Sequence, residues 1–309
     1  MDAEPRWVDV ATAAVTLRAL VWDGTEPDAP MALCLHGFPD TAHGFRKLAP
    51  LLVDAGYRVV APFMRGYAPS SVPTDGSYHI GAVMYDALRV RDQLGPSDRD
   101  LLIGHDWGAI AATGLAALPA DRLPVPFAKA VVMSVPPSAS FRAPGSVAER
   151  GRLLAKLPAQ VFRSWYILFF QLPYLPERVQ SQMVPLLWRR WSPGYTGADL
   201  AEDLAHVEAA IGEPARWRAA LGTYRAVGRN SAPPAPYADL HEYWLDPPRL
   251  PMLYLHGGQD GCFTADFMPW VEKILPPGSS TGIVDGAGHF LQLEQPQRVA
   301  ELITAFASR

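Results

Sequence analysis

Asp106 stands in the run Leu101-Leu102-Ile103-Gly104-His105-Asp106-Trp107-Gly108-Ala109-Ile110, an apolar stretch that gives way to small residues. Glycines two positions to either side of a charged residue have the layout of a nucleophile elbow, the generalised form of Gly-x-Ser-x-Gly. In that turn the nucleophile's backbone is strained, and glycine is needed where any side chain would clash. The helix that follows aims backbone N–H groups at the site and favours negative charge there. A serine must lose a proton before it attacks, whereas a carboxylate with a solution pKa of about 3.9 is already ionised at neutral pH. The chemistry that suits it is displacement at carbon, opening an epoxide or expelling a halide; amide or ester cleavage suits it poorly. The pentapeptide alone reads equally as a tight strand–helix turn with an N-capping Asp.

Two further motifs bear on that choice. His36-Gly37-Phe38-Pro39 follows an apolar run near the N-terminus, and the backbone N–H groups of Phe38 and Trp107 can together hold a developing oxyanion. Near the C-terminus, Asp285-Gly286-Ala287-Gly288-His289-Phe290 places His289 on a glycine-rich loop, and His256-Gly257-Gly258-Gln259-Asp260 supplies an acid before it. Each is an ordinary turn in isolation. Together they give the order nucleophile, acid, histidine. The other acid position, after the run ending at Val135, offers only Ser134 and prolines, so Asp260 is assigned. In this reading Asp106 forms an alkyl ester. His289, oriented by Asp260, then takes a proton from water, and the hydroxide attacks the ester carbonyl.

With these residues in place, the sequence resembles the epoxide hydrolase branch of the α/β-hydrolase superfamily over nearly the whole chain. His36-Gly37-Phe38-Pro39, Arg65-Gly66-Tyr67-Ala68-Pro69-Ser70, Gly104-His105-Asp106-Trp107-Gly108, Asp260 and Gly288-His289-Phe290 match in order and approximate spacing. Ala68 departs from the glycine usual there. The resemblance implies a cis bond between Phe38 and Pro39. It also implies two cap tyrosines that protonate the opening ring: Tyr166, in Trp165-Tyr166-Ile167-Leu168-Phe169-Phe170-Gln171, and Tyr224, in Gly222-Thr223-Tyr224-Arg225. A neutral phenol, pKa about 10, can donate at pH 7; both residues also read as aromatic packing of a lid on its core. Trp165 is expected, with Phe38 and Trp107, to line the substrate, a small-molecule, bulky and apolar epoxide that reacts with water. Haloalkane dehalogenases, which share Asp, His and a second acid, usually have Asn at the place of Phe38, and fluoroacetate-type dehalogenases usually have Arg at that of Trp107. A haloalkane dehalogenase, another Asp-nucleophile hydrolase, or a non-catalytic small-molecule binder on the same fold are the rival readings.

The elements that must position these groups are legible in the hydrophobic pattern. Met31–His36, Tyr57–Phe63, Asp100–Gly104, Ala128–Val135, Pro251–His256 and Thr281–Val284 are continuous apolar runs of the kind buried on both faces of a parallel sheet. Helical patterns lie between them: Phe45, Leu48, Leu51 and Leu52 on one face, then His79–Leu94, Ala109–Leu118, Phe263–Leu275 and Gln292–Phe306. The fold class is α/β, an α/β-hydrolase fold with a mostly parallel sheet flanked by helices, and Trp7–Trp22 adds one or two antiparallel edge strands. From Val135-Pro136-Pro137 to about Pro248 no strand pattern occurs, and the segment is rich in Trp, Tyr and Phe. That is too long for a loop. The expected organisation is core 1–136, helical cap 137–248 and core 249–309.

The composition narrows the partners. A chain of 309 residues, 49% hydrophobic, needs no disulfide or metal to hold a core. A net charge of −4 without a basic run argues against nucleic acid. Cys34 and Cys262 are far apart in apolar surroundings, which predicts two reduced buried thiols. No Cys-x-x-Cys or His-Glu-x-x-His pattern suggests a metal, and no cofactor is called for. The acidic N-terminus, Met1-Asp2-Ala3-Glu4-Pro5-Arg6, has no signal-peptide core. The apolar stretches fall short of the ~20 residues of a membrane span. A cytoplasmic protein without a membrane partner is expected.

Overall fold

A computed structural model of the chain describes residues 4–123, 126–143, 145–229 and 231–309; residues 1–3 of the acidic N-terminus lie outside them. The Trp7–Trp22 region forms two strands, β1 (Arg6–Ala11) and β2 (Thr16–Trp22), paired antiparallel. The six apolar runs form β3 (Met31–Leu35), β4 (Arg58–Pro62), β5 (Leu101–His105), β6 (Lys129–Met133), β7 (Met252–Gly257) and β8 (Ser280–Val284). The sheet order is β1-β2-β4-β3-β5-β6-β7-β8, with β3 to β8 parallel and β2 antiparallel to β4. Every residue of β3 and β5 is buried, as their unbroken apolar runs require when helices cover both faces.

The core helices are α1 (Ala49–Asp54), α2 (Ile80–Gln93) and α3 (Trp107–Ala116). Between β6 and β7 the described residues contain no strand; they form α4 (Val147–Arg163), α5 (Trp165–Phe169), α6 (Leu175–Arg178), α7 (Gln180–Trp191), α8 (Gly197–Ile211), α9 (Pro214–Gly228) and α10 (Ala235–His241). This insertion is fastened to the core by its aromatics. The Trp188 indole stacks on Phe290, with centroids 3.7 Å apart, and its N–H donates to the Pro39 carbonyl at 2.8 Å. The chain closes with α11 (Met268–Glu272), α12 (Leu291–Glu294) and α13 (Pro296–Ala307). Among the described residues no helix is long and apolar enough to cross a membrane.

Two expected helices are interrupted. Phe263–Leu275 begins late because Thr264 is extended (φ −99°, ψ 137°) and caps a short 3-10 turn, Ala265–Phe267, that leads into α11; before it, the N–H groups of Cys262 and Phe263 bond to the Asp260 carboxylate (2.7 and 3.0 Å). Gln292–Phe306 breaks at Gln295 (φ −136°, ψ 56°), because the following Pro296 drives its predecessor out of the helical region.

The chain passes from β3 to β4 on one side and then to β5 on the other, so β3 lies between β4 and β5. In open α/β sheets the crevice at such a reversal, at the strands' carboxyl ends, is where ligands bind. The loops that leave β3 and β5 carry Phe38 and Asp106.

Candidate active site

Asp106 is the residue between β5 and α3, with φ 52° and ψ −117°. This left-handed conformation is costly for a residue with a Cβ and is held here by the fit around it. A side chain on Gly108 would collide with the Leu35 and His36 carbonyls, and one on Gly104 with the Gly108 carbonyl. The start of α3 can therefore sit directly on the end of β3. A side chain on Gly37 would strike the Asp106 carboxylate and lies 2.6 Å from the Trp107 backbone nitrogen.

The two carboxylate oxygens of Asp106 are in different surroundings. Oδ1 accepts the backbone N–H of Phe38 at 2.7 Å, whereas Oδ2 lies 3.7 Å from Nε2 of His289. The loop bearing Phe38 is latched by His36: its Nδ1–H donates to the Gly37 carbonyl (2.9 Å) and its Nε2 accepts the Met64 N–H (2.9 Å). Accepting at Nε2 requires a neutral ring, and burial lowers the His36 pKa to about 4. The Phe38–Pro39 bond is cis, as the resemblance implied, and so is Ala68–Pro69.

His289 Nδ1–H donates to Asp260 Oδ2 at 2.9 Å, while Nε2 has no hydrogen-bond partner and faces Asp106. Burial works to lower the pKa of this imidazole, but Asp260 and Asp106 outweigh it and raise it to about 10. Burial would conversely raise Asp260; the facing His289 holds it below the usual carboxylate range. Asp260 Oδ1 is occupied by the N–H groups of its own loop, so only Oδ2 is left for the imidazole.

Several groups that motif reading missed hold this pair in place. The Trp191 carbonyl, at the end of α7, accepts the N–H of both His289 (3.1 Å) and Gly261 (3.0 Å), which ties the insertion to the loops that carry His289 and Asp260. The His289 carbonyl accepts from Ser134 Oγ–H at 2.6 Å and from His105 Nε2–H at 2.9 Å. Ser134, weighed as a neighbour of the alternative acid position, thus supports the histidine's backbone instead.

The sequence-predicted tyrosines converge on the same place from α5 and α9. Their rings lie 5.9 Å apart, and Tyr224 meets the ring of Phe38 at 5.2 Å and that of Trp107 at 4.8 Å. The Tyr166 hydroxyl bonds with Cys262 Sγ at 3.3 Å; the buried Tyr224 hydroxyl and the Trp107 indole N–H have no partner. Burial, reinforced for Tyr166 by Cys262 and for Tyr224 by Asp106, pushes both phenols well above their ordinary pKa, so they hold their protons at neutral pH. Trp165 is half-buried and packs on Phe169 at 5.8 Å; among the described residues its ring makes no contact with that of Phe38 or Trp107. Asp260, Cys262 and His289 place potential ligand atoms within 4.8 Å of one another. Asp260 and His289 already satisfy each other, and burial holds the Cys262 thiol protonated, which fits an ion pair better than a metal site.

Residues 32–296 match the alpha/beta hydrolase fold family. The chain belongs to that family. Among relatives of this alpha/beta hydrolase, Epoxide hydrolase A of Mycobacterium tuberculosis (strain ATCC 25618 / H37Rv) is 31% identical, over 96% of this chain and 95% of its own length. Epoxide hydrolase 4 of Homo sapiens is 30% identical over 91% of this chain and 73% of its own. A solved structure from Klebsiella pneumoniae subsp. pneumoniae MGH 78578 superposes with a TM-score of 0.79, 20% identical over 98% of both chains, a likeness that concerns the fold alone.

Proposed function

We propose that this hydrolase opens an epoxide to a vicinal diol through a covalent ester on Asp106. The observation that carries the reading is the division of labour within one carboxylate: Oδ1 is held by the Phe38 N–H, and Oδ2 is left without a hydrogen-bond donor beneath the two buried phenols. In the first step Oδ2 attacks a ring carbon, the ring C–O bond breaks, and the departing oxygen takes a proton from Tyr166 or Tyr224. The ester's carbonyl oxygen is then Oδ1, already held by the Phe38 N–H, which in this reading stabilises the tetrahedral oxyanion together with the Trp107 N–H. Esterification removes one of the two negative charges that hold the proton on His289, so the imidazolium releases that proton, which restores the phenol, and the neutral ring can then accept a proton from water. The resulting hydroxide attacks the carbonyl carbon, the ester bond breaks as the new carboxyl's proton passes to the departing alkoxide, and the diol leaves with Asp106 ionised and His289 protonated as at the start. Asp260 keeps the ring oriented throughout. In this reading residues 137–248 act as a cap over a core formed by 1–136 and 249–309, and Phe38, Trp107 and Trp165 line the substrate.

A haloalkane reading draws on one feature, the unpartnered Trp107 indole N–H, which can hold a halide. Phe38 provides no second side-chain donor where dehalogenases usually have Asn. A panel of epoxides and haloalkanes separates the two. The ester itself is tested by a single turnover in heavy-oxygen water with enzyme in excess. Hydrolysis at the carbonyl carbon leaves a carboxylate oxygen on the diol, so the first diol should be almost free of label and Asp106 should gain it. Direct attack by water labels the diol from the first turnover and would overturn the ester mechanism. His289→Gln should accumulate the substrate adduct, visible in the intact mass.

A further inference from the structure

Large apolar side chains that stand in solvent are concentrated in one stretch of the insertion. Of thirteen such residues among those described, ten lie between Val147 and Leu186. On α4, Leu154, Val161 and Phe162 share one helix face with Pro158 between them, while Leu153 and Gln160 point into the protein. The elements that follow add Leu168, Leu172 and Tyr174. Exposure reaches 77% for Tyr174, 75% for Phe162, 68% for Leu168 and 62% for Leu154. Single exposed leucines are ordinary on a soluble protein; a run of them on successive elements marks an interaction surface.

The same stretch has a charge opposite to that of the protein. Residues 147–191 hold seven Lys or Arg and two carboxylates, in a chain of net charge −4. Both carboxylates are occupied, Glu149 by Lys273 at 2.5 Å and Glu177 by Arg225 at 2.8 Å. Arg150, Arg152, Arg178, Arg189 and Arg190 are exposed and form no ion pair among the described residues.

We propose that this face of the insertion adsorbs to a membrane surface that contains anionic lipid. The apolar side chains supply burial in the headgroup region and the free arginines supply attraction to its negative charge. A second copy of the chain fits worse, because a two-fold contact through this face sets the unpaired arginines of one copy against those of the other. The absence of a membrane partner expected from the sequence rested on span length, which concerns crossing a bilayer and not lying on it. The proposal is independent of the ring-opening reading.

The test is flotation of the full-length protein with vesicles of phosphatidylcholine alone or mixed with phosphatidylserine. Wild type should float with the mixed vesicles, much less with the neutral ones, and be released by salt. The double variant Leu154→Ser/Phe162→Ser, altered only at exposed positions and in no group that touches the reaction, should lose at least about tenfold in partitioning with an unchanged melting temperature. Arg150→Gln/Arg152→Gln should lose the preference for anionic vesicles. Wild type absent from the floated fraction, or a double variant that floats as well as wild type, overturns the proposal. So does a wild-type dimer in sedimentation velocity that the double variant converts to monomer, which assigns the face to a second copy.

Discussion

His289 lies between two carboxylates, and its protonation depends on both. Asp260 is bonded to its Nδ1 and Asp106 faces its Nε2, so replacing Asp106 by Asn removes one of the charges that raise it to about 10. The imidazole of Asp106→Asn, followed by NMR, should titrate lower than in wild type by about one pH unit or more. An unchanged midpoint would mean that Asp260 alone holds the proton and that esterification does not free the base. The tyrosines make a second residue-scale prediction. Tyr166→Phe and Tyr224→Phe should each slow single-turnover alkylation, and the double variant should fall by about 10²–10⁴; a folded double variant that alkylates at the wild-type rate reduces both to packing. Asp106, Asp260 and His289 were legible as residues because each sits in a short glycine-marked turn in the required order. His36, His105, Ser134, Cys262 and the Trp191 carbonyl were not. They act through one bond to a partner distant in sequence, such as the 155 residues between Ser134 and His289, and a single bond leaves no spacing pattern to read.

Between strand and helix, the site depends on how closely α3 approaches β3. Glycine at 108 is what permits it, since a Cβ there meets the Leu35 and His36 carbonyls. Gly108→Ala should therefore cost about 1–3 kcal/mol in urea unfolding, the usual range for overpacking, and displace the Trp107 N–H from where the proposed ester mechanism needs it. A variant as stable as wild type would mean that the turn relaxes at no cost. Element boundaries were the least legible part of the chain. The apolar periodicity of 263–275 and 292–306 is helical, yet an extended Thr264 delays the first helix and Pro296 splits the second. The strands came through better because an apolar run buried on both faces has few alternatives.

Across the whole molecule, burial of ionisable groups sets the pH range of stability. His36 and His105 are buried and lowered to about 4 and about 3, so the unfolded chain takes up protons below 6.5 that the folded one refuses, and stability falls as pH falls. His289 behaves oppositely. Its folded pKa of about 10 exceeds the ordinary 6.5, so the stability it adds is complete below 6.5 and is lost as pH rises through about 10. Asp40, which burial raises from 3.8 to about 8, loses its contribution as pH rises toward 8, so it opposes the two histidines on the acid side and adds to the loss just above 6.5. Urea midpoints should thus peak near pH 6.5 and decline on both sides; stability that keeps rising from pH 7 to 10 would contradict the charge assigned to His289. The sequence by itself determined the strand set, the long helical insertion and the turns that carry Asp106, Asp260 and His289, because these are encoded in local periodicity and in glycine-marked turns. Only the tertiary structure decided the strand order β4-β3-β5 that sets the loops bearing Phe38 and Asp106 side by side, the separation of the two Asp106 oxygens, and the gathering of Tyr166 and Tyr224 from different helices. It alone also showed that the apolar side chains of residues 147–186, in a stretch whose cationic balance the sequence carries, are left in solvent. Each of these is a relation between segments far apart in the chain, fixed by packing and electrostatics that no local window contains.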